Sequence, residues 1–263
     1  MRLIRVLISL SVLIFSLTKV QAAIQTETVE YKDGKTVLEG FIAYDDSWKG
    51  PRPVILIVHQ WMGLTDYEKT RAQQLAEKGY LAFAVDIYGK GARPHSPADA
   101  GKWAGQFKGD IKLYRQREKA AWDFIARDKR ADKKRAVIIG YCFGGTGALE
   151  AARAGLPFVG AVSFHGGLST PNPQTTKNLK AKLLVLHGAI DPNVPPAEVE
   201  GFMKEMNEAK ADYQFIAYSG AVHAFTQPHV GNNAASGVAY NEAADKRSWR
   251  AFMDFLHEVV PLD

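Results

Sequence analysis

The sequence predicts an α/β fold: a mostly parallel central sheet with helices on both faces and a β-hairpin at its N-terminal edge. Three observations predict it. Short continuous apolar runs such as Pro53–Val58 and Tyr80–Val85 read as strands covered on both faces. Segments with helical spacing lie between them, the alternation that builds parallel sheets. Ahead of the first run, two alternating stretches flank Asp33-Gly34, a hairpin turn signal.

Taken in order, Thr26–Tyr31 and Val37–Tyr44 form the hairpin, and Gly50-Pro51 breaks the chain before the strand Pro53–Val58. Asp66–Lys78 carries Tyr67, Ala72, Leu75 and Ala76 on one helical face and stops at Gly79. Tyr80–Val85 is the next strand. Ile111–Asp128 is a helix with Ala120, Ala121, Phe124 and Ile125 inward, and Arg135–Ile139 is a strand running into Gly140. The basic residues Lys129, Arg130, Lys133, Lys134 and Arg135 around Asp132 read as a solvated turn before that strand. An alanine-rich helix spans Gly145–Ala154. Strands at Val159–Phe164, Lys182–Leu186 and Tyr213–Tyr218 follow, with a helix at Pro195–Ala209 and a closing helix at Ala239–Val259. The segment Gly89–Phe107 is expected to border the pocket.

The chain has 263 residues, of which 46 % are hydrophobic and 23 % charged, the balance of an ordinary globular domain. Its first residues differ. Arg2 and Arg5 precede an apolar run from Ile8 to Leu17, and Val20-Gln21-Ala22 sets small residues at a cleavage site. That order predicts a signal peptide over residues 1–22, one sizeable domain over 23–263, and export to the periplasm or the exterior. The apolar run is too short to span a bilayer comfortably, so no stable membrane anchor is expected after cleavage. Removing Arg2, Arg5 and Lys19 lowers the formal charge from +5 to +2, too little to argue for nucleic acid. The single cysteine excludes an internal disulfide and leaves a buried residue, an intermolecular bridge or a reactive thiol.

In parallel sheets, chemistry gathers beyond the carboxyl ends of the strands. There the sequence reads Gly140-Tyr141-Cys142-Phe143-Gly144-Gly145, a Gly-x-Cys-x-Gly turn between a strand and a helix. Such a turn exposes a nucleophile at a helix start, where backbone N–H groups favour a thiolate. Asp191 follows the strand ending at Leu186, and His223 follows the last strand, giving the chain order nucleophile, acid, base. His229 is the nearest competitor for the base. Backbone N–H groups of Phe143 and Trp61 would form an oxyanion hole, with Gln60 and Met62 in the same loop lining the pocket. His59, His165 and His187 read as hydrogen-bonded structural residues, and no metal-ligand spacing is present.

These motifs resemble the dienelactone hydrolase family of α/β-hydrolases over essentially the whole chain after residue 22. The resemblance rests on His59–Gly63, Asp86-Ile87-Tyr88, Gly140–Gly145, Asp191, His223-Ala224-Phe225, Ala239–Ala244 and Trp249. It implies an α/β-hydrolase fold, a Cys142–His223–Asp191 triad, hydrolysis of a small ester or lactone, no cofactor, and Tyr88, Lys90 and Phe225 around the substrate. A monomer or small homo-oligomer is expected. Gln60 stands where the family usually has glutamate, and Lys90 and Gln227 stand where dienelactone hydrolases proper have arginines. That loss of a paired guanidinium grip argues against dienelactone itself. A non-catalytic binding protein and a thiol redox protein are the competing readings.

Overall fold

Residues 23–262 are described in a computed structural model; the signal-peptide reading over residues 1–22 lies outside them. The Asp33-Gly34 signal becomes a two-residue turn at Gly34-Lys35. There Gly34 takes φ 57° and the strands β1 (Ile24–Asp33) and β2 (Thr36–Asp45) pair antiparallel, Asp33 opposite Thr36. A positive φ at the first central residue suits the right-handed twist of a hairpin.

The apolar runs become β3 (Arg52–Val58) and β4 (Leu81–Val85), every residue buried. Between them lies α1 (Asp66–Ala76), started by a capping box in which Thr65 and Glu68 bond reciprocally. The strand β5 (Ala131–Tyr141) starts earlier than the sequence suggests. Its pairing with β3 jumps from Pro53–Asp132 to Val54–Ala136, so the basic run is a bulge within the strand, with Lys133 and Lys134 in solvent. Next come α4 (Phe143–Arg153), preceded by α2 (Pro97–Gly109) and α3 (Ile111–Ile125), then β6 (Gly160–Phe164) and β7 (Lys182–Gly188). The chain closes with α5 (Pro196–Glu208), β8 (Tyr213–Tyr218) and α6 (Glu242–Val259).

Among the described residues the strands form one sheet in the order β1-β2-β4-β3-β5-β6-β7-β8, parallel from β4 to β8. One face packs on α1 and α6 through Leu75, Phe252, Phe255 and Leu256. The other packs on α2 to α5 through Phe107, Tyr114, Ile125, Leu149 and Phe202. Helix α2 overlaps the second half of the segment Gly89–Phe107, expected to border the pocket, and runs on to Gly109. Ser96 caps it with Pro97 next, and Ala100, Ala104 and Phe107 face inward. No described helix is long and apolar enough to cross a membrane.

Candidate active site

Cys142 stands alone between the end of β5 and the start of α4, at φ 55° and ψ −113°. A side-chain-bearing residue pays for that backbone, so the surroundings must hold it there. Glycine makes the close approach possible: a Cβ at Gly140 would lie 2.0 Å from Gly144 O, and one at Gly144 would lie 2.2 Å from Val58 O. Cys142 N–H is shared between Phe164 O at 3.0 Å and His165 Nδ1 at 3.2 Å. Cys142 O in turn accepts Gly145 N–H at 3.0 Å, which opens the helix.

His223 and Asp191 come to this thiol from two other strand ends. After β7, Asp191 N–H donates to Gly188 O at 3.0 Å, and Asp191 Oδ1 accepts Asn193 N–H at 2.8 Å. After β8, the His223 backbone is pinned by Gly237 O at 3.2 Å and Ala239 N–H at 3.0 Å. The imidazole then spans the gap, with Nδ1 2.8 Å from Asp191 Oδ2 and Nε2 3.0 Å from Cys142 Sγ. The short carboxylate contact puts a proton on Nδ1 and leaves Nε2 for the thiol.

The electrostatics of the pair point one way. Burial alone would raise the Cys142 thiol, but the His223 charge and hydrogen bond, the Lys108 charge and the Phe143 N–H outweigh it and bring the thiol below its ordinary range. Burial alone would lower His223, but the Cys142 thiolate and the Asp191 carboxylate hold it up, at about 10. Thiolate and imidazolium therefore stabilise each other.

The thiol opens into a cavity of about 460 Å³ whose wall includes Gln60, Trp61, Met62, His223, Gln227 and Lys108. Gln60 Oε1 accepts Met62 N–H at 3.2 Å, and Gln60 N–H donates to Glu68 Oε1 at 3.2 Å. The buried Glu68 carboxylate, already bonded to Thr65, thus ties this loop to the start of α1. Trp61 is 38 % exposed, and no acceptor among the described residues engages its N–H. The Phe143 ring is buried against Tyr114 at 4.5 Å, while its N–H faces the thiol.

Three expected pocket residues lie elsewhere. Tyr88 is buried beneath the loop, donating from its hydroxyl to Trp61 O at 2.9 Å and packing on Phe143 at 5.5 Å. Lys90 pairs with Glu30 of the hairpin, because Lys90 N–H is drawn to Val37 O at 2.9 Å along β2. Phe225 is fully buried, wedged between His165 and Tyr218. Lys108 is a further cavity residue: the Ser96-Pro97 cap and the inward spacing to Phe107 mark α2 as a helix, but its docking beside the thiol comes from Phe107 packing on Phe143. His229 lines the cavity as well, but Nε2 of His223 is the nitrogen that meets Sγ.

The other histidines mostly keep to hydrogen-bonded roles. His59 Nδ1 donates to Gln60 O at 2.6 Å and Nε2 accepts Ile87 N–H at 3.2 Å; burial pushes it down to about 4. His187 departs from that expectation: its Nδ1 is buried without a partner among the described residues, and the ring rests on Phe215 at 5.4 Å. No group of three or more metal-ligating side chains occurs among the described residues.

A doubly covered parallel sheet with this strand-to-helix elbow and a histidine after the last strand is the α/β-hydrolase fold, and the protein is a hydrolase of that class. Within it, the chain belongs to the dienelactone hydrolase family, whose profile matches residues 38–260. It is 34 % identical, with TM-score 0.85, to the dienelactone hydrolase-like promiscuous phosphotriesterase P91 from metagenomic libraries, covering 90 % of this chain and 99 % of that one. It is 29 % identical to an Aquifex aeolicus protein named provisionally as a carboxymethylenebutenolidase, over 76 % of this chain and 86 % of that protein. An uncharacterised Caenorhabditis elegans protein is 38 % identical over 48 % of this chain and 82 % of its own length.

Proposed function

We propose that the protein hydrolyses small carboxylic esters or lactones through a Cys142–His223–Asp191 triad. The observation that supports this most directly is the unbroken line from Asp191 Oδ2 through His223 to Sγ, with Sγ in the cavity wall. Cys142 thiolate attacks the carbonyl carbon, and the developing oxyanion takes hydrogen bonds from Phe143 and Trp61 N–H. The C–O bond breaks as His223 gives its Nε2 proton to the leaving oxygen, which leaves an acyl-thioester. Water then loses a proton to Nε2 and attacks the same carbon. The C–S bond breaks, acid departs, and thiolate and imidazolium are restored. No cofactor takes part in these steps.

The relative P91 carries phosphotriesterase in its name. Attack of the same thiolate on a phosphotriester is a second reading, so both substrates belong in one assay. The opening Arg2, Arg5 and Ala22 signal adds the proposal that the enzyme works after export, in the periplasm or outside the cell.

The test is turnover of short-chain p-nitrophenyl esters by the purified protein beside Cys142→Ala and His223→Asn. Turnover that vanishes in both variants supports the triad. A wild-type protein with a titratable free thiol and no turnover favours the binding-protein reading. Thiol oxidation that survives His223→Asn with no ester cleavage favours the redox reading.

A further inference from the structure

His165 follows β6 directly and takes φ 42°, a left-handed backbone unusual for a side-chain-bearing residue. Its imidazole is buried and bonded at both nitrogens. Nδ1 faces the Cys142 N–H at 3.2 Å, and Nε2 lies 2.8 Å from Thr226 Oγ1. An N–H can only donate, so Nδ1 is the unprotonated nitrogen and Nε2 carries the proton to Thr226. Thr226 is itself buried, three residues after His223, and its Oγ1 meets Tyr67 O–H at 2.8 Å. Tyr67 accepts from Arg71 Nε at 3.3 Å, and Arg71 pairs with Asp245 of α6 at 2.9 Å. The His165 ring also meets the His223 ring edge to face, 5.4 Å between centroids.

We propose that His165 is a positioning residue: one neutral imidazole joins the Cys142 elbow to the loop that carries His223, and so sets the thiol-to-base distance. The role is defined by the reaction proposed above and rests on that reading. The neutral ring suits the place, since a second imidazolium 5.4 Å from His223 would oppose the charge that the thiolate needs beside it. Burial, the charge of His223 and that of Arg71 keep His165 well below the usual histidine range, so it stays neutral while the pair titrates. Tyr141 and Phe225 complete its surroundings at 6.1 and 5.1 Å.

Three variants test this: His165→Leu, His165→Gln and Thr226→Val. Each is measured for kcat and KM on p-nitrophenyl acetate, for thiolate formation against pH by ultraviolet absorbance, and for thermal melting. His165→Leu should lose roughly 10- to 100-fold in kcat with KM little changed, the scale of a misplaced reacting group. Its thiol should titrate higher, toward the ordinary cysteine range. Glutamine can accept from Cys142 N–H and donate to Thr226, so His165→Gln should recover kcat to within about threefold and restore the titration. A folded His165→Leu with unchanged kcat and titration overturns the proposal, as does a folded His165→Gln no better than leucine. If His165→Leu does not fold, Thr226→Val decides: a raised thiol titration supports the link and an unchanged one refutes it. Should the wild type show no Cys142-dependent turnover, the triad reading fails on its own, while thiolate titration still tests His165.

Discussion

Gln60 Oε1 accepts the Met62 N–H at 3.2 Å, so the amide in the wall beside the thiol spends its acceptor on the turn that presents Trp61. A glutamate could make the same bond, but it would add a negative charge to the cavity that holds Sγ. Opposite charges favour a thiolate and like charges oppose it. Gln60→Glu should therefore raise the Cys142 thiol. The acid limb of kcat/KM should move up with it, with the plateau nearly unchanged. An acid limb that stays in place, or moves down, would show that residue 60 does not govern the thiol.

The unmodified site should give a broad pH profile. Thiolate forms as pH rises through a Cys142 value below the ordinary thiol range, and activity rises with it. Imidazolium is lost as pH passes the His223 value of about 10, and activity falls there. In Cys142→Ser the acid limb belongs to His223, and with the thiolate gone and Asp191 alone holding the imidazole up it should lie well below the value of about 10 in the unmodified site, with kcat lower by roughly 10²-fold or more. Coincident limbs in the two proteins would mean that thiolate and imidazole are not paired.

Asp191 fixes which nitrogen of His223 carries the proton. Asp191→Asn retains an oxygen for Asn193 N–H but offers an amide N–H to Nδ1, which favours the wrong tautomer. A kcat loss of about 10²- to 10⁴-fold with a near-native melting curve is expected. A loss of only a few-fold would demote Asp191 to a turn residue.

The parts of the site that were readable in sequence are those that chain neighbours decide. Gly140 and Gly144 bracket Cys142 because strand and helix touch there, and each strand end announces the loop after it. Lys90 and Phe225 were misplaced for the opposite reason. Their surroundings are set by distant partners, Glu30 on β1 for one and His165 with Tyr218 for the other. Lys108 reaches the cavity only because Phe107 packs on Phe143, a contact between α2 and the elbow that no local pattern states. The bulge at residues 133–135 was hidden by its charge, since a solvated turn and a solvated bulge have the same composition.

The tight elbow gives a stability prediction. A Cβ at Gly144 would meet the backbone oxygen of Val58 at 2.2 Å, and backbone cannot swing aside as a flexible side chain would. Gly144→Ala should cost about 3 kcal/mol and pull Sγ away from His223, so melting temperature and ester turnover fall together. A variant that loses turnover with its melting curve intact would place the defect in chemistry instead of packing.

Glu118 offers a pH signature independent of catalysis. Both its oxygens are buried against α4 with no hydrogen-bond partner among the described residues, and burial, then the Glu150 charge, push the carboxyl well above its usual range. The folded protein thus holds a proton that the unfolded chain releases near pH 4.3, about its free-peptide value. For a raised value, the stability contribution is complete below the unfolded value and is lost as pH climbs toward the folded one. Glutamine keeps the shape but cannot ionise. Measured in the Cys142→Ala background, which silences the thiolate–imidazolium pair, Glu118→Gln should flatten the decline of unfolding free energy above about pH 4. Its advantage should grow by up to about 1.4 kcal/mol per pH unit until the folded value is reached. Parallel stability curves for the two proteins from about pH 4 to pH 8 would show that Glu118 is ionised in the fold, held by Arg115 or by water.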